Sequence, residues 1–247
     1  MKNILYILLL VSQVFFAQSG FEKGNDLYKN GKYEQAIDAY NAVLSSKKQS
    51  AELYFNLANC YYKLNKVAPA IYNYEKALVL SPDNIDMANN LKFAQKRTVD
   101  EIKVVPKVGF AKLLRDFTGQ YHYNTWAWIA VAFSILFLIS FLGYYFSGSA
   151  IIKRLFFFGM FVILVLLLLS VSSAVFEKSH FKNERPAIVF SEMTEVKSEP
   201  QNRAKTIIIL HEGTKVFVEK KLENWKKVQL TDGTEGWIAS DAIREVK

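Results

Sequence analysis

The chain has 247 residues, a formal net charge of +8, a slightly positive mean hydropathy and a single cysteine, which rules out an internal disulfide. Residues 18–102 carry 11 Lys/Arg against 10 Asp/Glu, residues 177–247 carry 13 against 12, and residues 103–176 carry 6 against 1. The excess thus lies beside the most apolar stretches, which suits anionic lipid headgroups and excludes the basic patch of a nucleic-acid footprint.

Residues 1–17 read as a secretory signal. Lys2 supplies the charged start, Ile4–Phe16 a short apolar run, and Ala17 a small residue for cleavage before Gln18. Bulky Phe15 at the minus-three position keeps an uncleaved anchor open as the alternative. No cysteine follows the run, so a lipid anchor at this point is excluded.

Residues 18–102 repeat themselves. Gly24–Leu44 and Ala58–Leu78 align without a gap at a spacing of 34 residues, pairing Gly24 with Ala58, Asn25 with Asn59, Tyr28 with Tyr62, Lys29 with Lys63, Ala36 with Ala70, Ile37 with Ile71, Tyr40 with Tyr74 and Leu44 with Leu78. Small residues mark the close approach of paired helices, and aromatics fill the gaps between units. A helix-turn-helix unit of this period resembles the tetratricopeptide repeat. Repeats are expected over 20–50 and 51–83, with Pro82 ending the second and a capping helix over 84–102. Cys60 reads as a small buried apolar residue within a helix.

The tetratricopeptide resemblance implies a concave wall, built by the first helix of each unit, that holds a peptide. By register that wall shows Phe21, Asn25 and Tyr28 from the first unit. The second unit contributes Phe55, Asn56, Asn59, Tyr62 and Lys63, and the cap contributes Asn90, Phe93 and Arg97. One specialised version clamps a carboxyl terminus between two asparagines and three cations. Asn25 and Asn56 match the asparagines, but Phe21, Asp86 and Asn90 stand at the basic positions, so that chemistry is rejected here. An aromatic and amide wall suits an uncharged or mixed peptide.

Residues 103–125 form a linker in which Phe110, Leu113, Leu114 and Phe117 fall on one helical face beside Lys112 and Arg115. This spacing predicts a short helix lying at a membrane surface, or an ordinary amphipathic linker helix. Residues 126–146 and 155–176 are uncharged and apolar, each long enough at 1.5 Å per residue to cross a hydrocarbon core of about 30 Å. Tyr121, Tyr123, Trp126, Trp128, Tyr144 and Tyr145 mark interfaces. The loop 147–154 carries Lys153 and Arg154 and is expected on the cytoplasmic side. With an exported amino-terminal part, both flanking modules then share the non-cytoplasmic face, reached by the second through a linker over 177–185.

Residues 186–247 change period. Short alternating runs at Ala187–Val189, Ile207–Leu210, Lys215–Glu219, Trp225–Leu230 and Gly236–Ile238 predict strands, with Asp232-Gly233 as a hairpin turn. Trp225, Val228, Asp232, Gly233, Gly236, Trp237 and Ile238 resemble the tail of the bacterial SH3 (SH3b) domain, "W-x-x-V … D-G-x-x-G-W-I". That resemblance implies a small all-β barrel with the tryptophans packed into it, and a preference for cell-wall peptides or protein segments.

The fold class expected is therefore a multidomain membrane protein: an all-α tetratricopeptide array, a two-helix transmembrane hairpin and a small all-β SH3-like barrel. Catalysis is not expected. His122, His180 and His211 lie far apart in the sequence, and no metal-ligand spacing, phosphate-cradling loop or nucleophile motif occurs, so no catalytic residue, metal or cofactor is assigned. The order of modules, with LKFAQKRTVDEI over 91–102, resembles the BatE proteins of Bacteroides aerotolerance operons. That resemblance implies a Gram-negative inner membrane, a part in stress tolerance or envelope assembly, and two kinds of partner: membrane-bound von Willebrand factor A domain proteins and a MoxR-type AAA+ ATPase. The main expectation is a periplasmic protein-interaction scaffold, and the rival is a cell-wall sensor whose SH3b domain binds peptidoglycan.

Overall fold

A computed structural model describes residues 20–103 and 109–247. The expected signal and the stretch 104–108 of the linker lie outside the described residues. The chain divides into two compact units. Among the described residues, one joins those up to 103 with Arg185–Lys247, and the other runs from 109 to Glu184. The helical repeats and the carboxyl-terminal sheet, read from sequence as separate modules, therefore form one unit.

Its helical half contains α1 (residues 20–29), α2 (Tyr33–Ser45), α3 (Ala51–Lys63), α4 (Val67–Leu80) and α5 (Ile85–Gln95). The first and third helices end alike. Gly31 and Asn65, 34 residues apart, both take positive φ (73° and 57°), and Lys32 and Lys66 donate their N–H groups back to the carbonyls of Leu27 and Tyr61. This is a Schellman cap used twice in register. Ser50 and Asn84 cap the starts of α3 and α5 by accepting from Leu53 N and Met87 N, each at 3.1 Å.

Helix pairs close where the sequence is small. A Cβ on Gly24 would lie 2.4 Å from the Tyr40 ring, and Ala36, Ala58 and Ala70 are fully buried. Cys60 is buried among Ile37, Tyr40 and Leu57, and burial pushes its thiol up to about 12. The capping helix is shorter than expected. It stops at Gln95, and residues 99–103 run without regular structure, because Asp100 and Ile102 are committed to the sheet.

The sheet half has seven antiparallel strands in the order β3-β2-β6-β5-β4-β1-β7. They are β1 (Pro186–Val189), β2 (Met193–Lys197), β3 (Thr206–His211), β4 (Lys215–Leu222), β5 (Trp225–Gln229), β6 (Glu235–Ala239) and β7 (Ile243–Glu245). The Asp-Gly turn falls as expected between β5 and β6, with Gly233 at φ 88°. Val196, Leu210, Val216, Val228 and Ile238 fill the core. The tryptophans do not. Trp225 and Trp237 are half-buried, and alternation along β5 and β6 puts them on the face opposite Val228 and Ile238. Gly236 is the residue the core requires, since a Cβ there would meet Val196 at 2.4 Å.

The second unit holds α6 (Phe110–Thr118), α7 (Tyr123–Phe146) and α8 (Ala150–Asn183). At 1.5 Å per residue, α7 spans about 36 Å and α8 about 51 Å. Both are long and apolar enough to cross a membrane, and almost all of their apolar surface is uncovered. Only Ser147–Ser149 separate them, so Lys153 and Arg154 sit in the first turns of α8 and not in a loop. Residues 177–183, expected as linker, continue the same helix.

The two helices meet where side chains are small: Ala130, Ser170 and Ser173 are buried, and a Cβ on Gly143 would lie 2.5 Å from Phe156. Trp126 Nε1 donates to the Thr118 carbonyl at 2.7 Å, and the Thr118 hydroxyl donates to Glu177 at 2.6 Å, tying α6 to the ends of α7 and α8.

Candidate functional site

The wall expected to hold a peptide is a row of hydrogen-bonded side chains. Asn25 Oδ1 accepts from the Tyr40 hydroxyl at 2.7 Å and from Asn56 Nδ2 at 2.9 Å. One repeat later, Asn59 Oδ1 accepts from the Tyr74 hydroxyl at 2.6 Å and from Asn90 Nδ2 at 3.1 Å. The same trio, two asparagines and a tyrosine, recurs at the same offsets. Each asparagine carbonyl thus joins its own unit's second helix to the next unit's first helix. Burial, outweighing the asparagine hydrogen bonds, pushes both tyrosine hydroxyls far above their ordinary range, so they remain donors.

Other wall residues are also engaged. Phe21 packs against Tyr40 and Phe55 against Tyr74, each with ring centres 5.8 Å apart, and Tyr28 lies 5.3 Å from Tyr33. Arg97 stacks 3.7 Å from the Tyr62 ring centre while its Nη1 donates to the Tyr62 carbonyl and to Asn65 Oδ1, both at 3.1 Å. Lys63 and Phe93 are exposed, Phe93 to 54%. The structure therefore brings Asn25 to Asn56, Asn59 to Asn90, and Tyr62 to Arg97. It leaves Phe93, Lys63 and the outer edges of Tyr28 and Tyr62 as reachable surface.

A second constellation joins repeats and sheet. Asp100 accepts from the His211 backbone N at 2.6 Å, the His211 ring Nδ1 at 2.7 Å and the Thr214 hydroxyl at 2.6 Å. Burial alone would raise its carboxyl. The His211 N–H, the Thr214 hydroxyl and the His211 ring outweigh that and hold it below the ordinary carboxylate value. Lys215 reaches Glu75 at 2.7 Å.

Strand β1 is buried on both faces. Ala187 and Val189 enter the sheet core, and Ile188 enters a cluster of Ala70, Ile71, Tyr74 and Leu91, beside Val246. Burying Ile188 there contributes about 1.5–3 kcal/mol. None of these contacts was assigned from sequence. Their one local signal was the uninterrupted apolar run of β1, which an edge strand facing water would not carry.

Comparison with known proteins fits the two halves of this unit. The tetratricopeptide repeat model matches residues 21–85 and the bacterial SH3 domain model matches residues 191–245. The chain is similar to Sperm-associated antigen 1 of Mus musculus, 36% identical over 75 residues, covering 30% of this chain and 8% of that protein. It is similar to the Hsp70-Hsp90 organizing protein of Triticum aestivum, 38% identical over 61 residues (25% and 10%). It is also similar to Dynein axonemal assembly factor 4 of Rattus norvegicus, 41% identical over 69 residues (28% and 16%). The matched part spans less than a fifth of each of these relatives. The chain thus carries a tetratricopeptide array and a bacterial SH3 domain, two module types that bind other molecules through their surfaces.

Proposed function

We infer that this protein is a non-enzymatic scaffold of the inner membrane, crossing it through α7 and α8 and presenting its repeats and its SH3b domain together to the periplasm. The observation that carries the reading is the hairpin. Two helices of 24 and 34 residues expose nearly all their apolar side chains, Leu138, Leu155 and Phe161 among them, and hydrocarbon is the solvent that such a surface needs. The short helix α6, with Leu113 and Phe117 exposed, then lies at the headgroup level.

The wall of Phe21, Asn25, Tyr28, Phe55, Asn56, Asn59, Tyr62, Lys63, Asn90, Phe93 and Arg97 is the surface on which protein partners are recruited. Its reachable parts do the binding, and its asparagines hold the wall's shape. Resemblance to the BatE proteins points to von Willebrand factor A domain membrane proteins and a MoxR-type AAA+ ATPase system as partners in envelope stress tolerance. Relatives named as an organizing protein and an assembly factor support a scaffolding role for the repeat segment.

Extraction of membranes with alkaline carbonate tests the hairpin, and reporters fused after Lys247 and within 147–149 test the sidedness. Retention in the pellet with an exported carboxyl terminus and a cytoplasmic turn is expected. Release into the supernatant, or a cytoplasmic SH3b domain, overturns the proposal. The bacterial SH3 match supports a second reading, a peptidoglycan-binding sensor. Retention of the full chain on purified peptidoglycan would favour it.

A further inference from the structure

We propose that a recess shared by the repeats and the sheet is a docking site for an acidic side chain of an extended protein segment, with a neighbouring apolar residue seated on aromatic rings. The recess has a volume of about 280 Å³, and none of the residues assigned to the concave wall lines it. Tyr54, Tyr72, Asn73 and Lys76 line it from the repeats, and Phe190 and Arg244 from the sheet. Neither half builds it alone.

Two cations face into it. Lys76 Nζ stands 5.3 and 5.4 Å from the ring centres of Tyr54 and Tyr72, and the Arg244 guanidinium lies 4.1 Å over Phe190. Tyr72 and Phe190 meet edge-on at 5.5 Å, so the two ring systems are continuous. Among the described residues, no carboxylate lies within ion-pairing distance of either cation. Nearby acids are already committed: Glu75 to Lys215, and Glu245 to Arg185 and Lys226.

Ring faces hold cations in place without neutralising them. A carboxylate entering between Lys76 and Arg244 completes the charge balance, and the planar guanidinium can take it through two parallel hydrogen bonds. The rings then cover an adjacent apolar side chain. At about 280 Å³ the space is at the small end for ligand sites, enough for one or two side chains and too little for a nucleotide. On the concave wall, by contrast, Phe21, Asp86 and Asn90 stand where a carboxylate clamp needs its cations.

Fluorescence anisotropy of the full chain in lipid nanodiscs tests the site. The probes are a heptapeptide amide, Gly-Ser-Phe-Asp-Phe-Ser-Gly with an uncharged dye, the same peptide with Asn for Asp, and the Asn peptide ending in a free carboxylate. The Asp peptide is expected to bind at least about tenfold tighter than either control, and to weaken as salt is raised.

Lys76→Gln and Arg244→Gln, on different elements, should each abolish that preference, while Lys76→Arg retains it. Phe93→Ala, on the concave wall, should leave it unchanged, which separates this site from the groove reading. Equal binding of the three peptides, stronger binding of the free carboxylate, or an Asp preference that survives both Gln variants would overturn the proposal. So would no binding of the Asp peptide below about 1 mM, the range of the weakest specific contacts.

Discussion

Asp100 and His211, 111 residues apart in the chain, meet through two hydrogen bonds, one from the histidine backbone at 2.6 Å and one from its ring at 2.7 Å. The carboxylate leaves the end of a helical array and the histidine leaves the end of a strand. Their meeting makes repeats and sheet one body, so a partner bound on one half is held at a fixed place relative to the other.

The Asp100 carboxyl titrates below its ordinary 3.8 in the folded chain. Its contribution to stability is therefore fully present above 3.8 and is lost as pH falls through the lower, folded value. Asp100→Asn keeps the shape but turns one acceptor into a donor facing donors, at a cost of about 1–3 kcal/mol. Thermal unfolding of the detergent-solubilised chain at pH 7 should fall by about 2–4 °C per kcal/mol lost. The difference between the variant and the parent at pH 7 should shrink progressively as the pH is taken below 3.8. A difference that does not change with pH would remove the charge from the explanation.

The repeats were legible because packing imposes a fixed period, and 34 residues separate Gly24 from Ala58 and Tyr40 from Tyr74. The two long helices were legible through uninterrupted apolar length. Strand β2 was missed because only Val196 of MTEVK is fully buried, and β7 because it has three residues. The junction was invisible for a different reason. Asp100, Glu75, His211 and Lys215 are ordinary surface residue types, and nothing local announces a partner more than 100 residues away. Asn25 and Asn59 were seen as a matched pair, but their spacing alone did not separate a binding surface from an internal hydrogen-bond row.

That row makes a prediction of its own. Tyr40→Phe and Tyr74→Phe each remove one buried hydroxyl bond to an asparagine while preserving the ring. Each should cost about 1 kcal/mol and lower the unfolding midpoint by about 2–4 °C. The two losses should add, since the residues occupy separate units. A neutral Tyr74→Phe would mean that the Asn59 carbonyl is satisfied without it.

Cys60 reports on the integrity of the repeats. It is fully buried and its thiol is held at about 12, so it is almost wholly protonated at pH 8. A maleimide reagent should leave the native chain unlabelled over an hour and label it stoichiometrically in denaturant. Rapid labelling of the native chain would show that α2 and α3 separate readily.

For partner binding, Phe93→Ala is the cleanest variant on the concave wall. The side chain is 54% exposed, so truncation removes reachable surface with little loss of packing. Phe55→Ala and Tyr62→Ala should also weaken recovery of cross-linked partners, but they give up the Tyr74 and Arg97 contacts as well. Loss of recovery in Phe93→Ala with an unchanged unfolding midpoint assigns binding to this surface. Unchanged recovery in all three variants moves it elsewhere.

Two glycines form a matched pair for testing how tightly the sheet is docked. Gly213 and Gly233 both sit in turns with nearly the same positive φ, 86° and 88°. A Cβ on Gly233 meets nothing within 4 Å, whereas one on Gly213 would lie 2.9 Å from Thr98, 3.0 Å from Val67 and 3.2 Å from Ile71, all on the repeats. Replacement by alanine imposes the same backbone strain at both positions, about 1 kcal/mol. Only at Gly213 does it also press the β3–β4 turn away from α4 and lengthen the bonds to Asp100. Gly233→Ala should therefore lower the unfolding midpoint by about 2–4 °C and Gly213→Ala by at least about twice that. Equal losses would mean that the turn can lift from the repeats at little cost, and the two halves would then be linked modules and not one body.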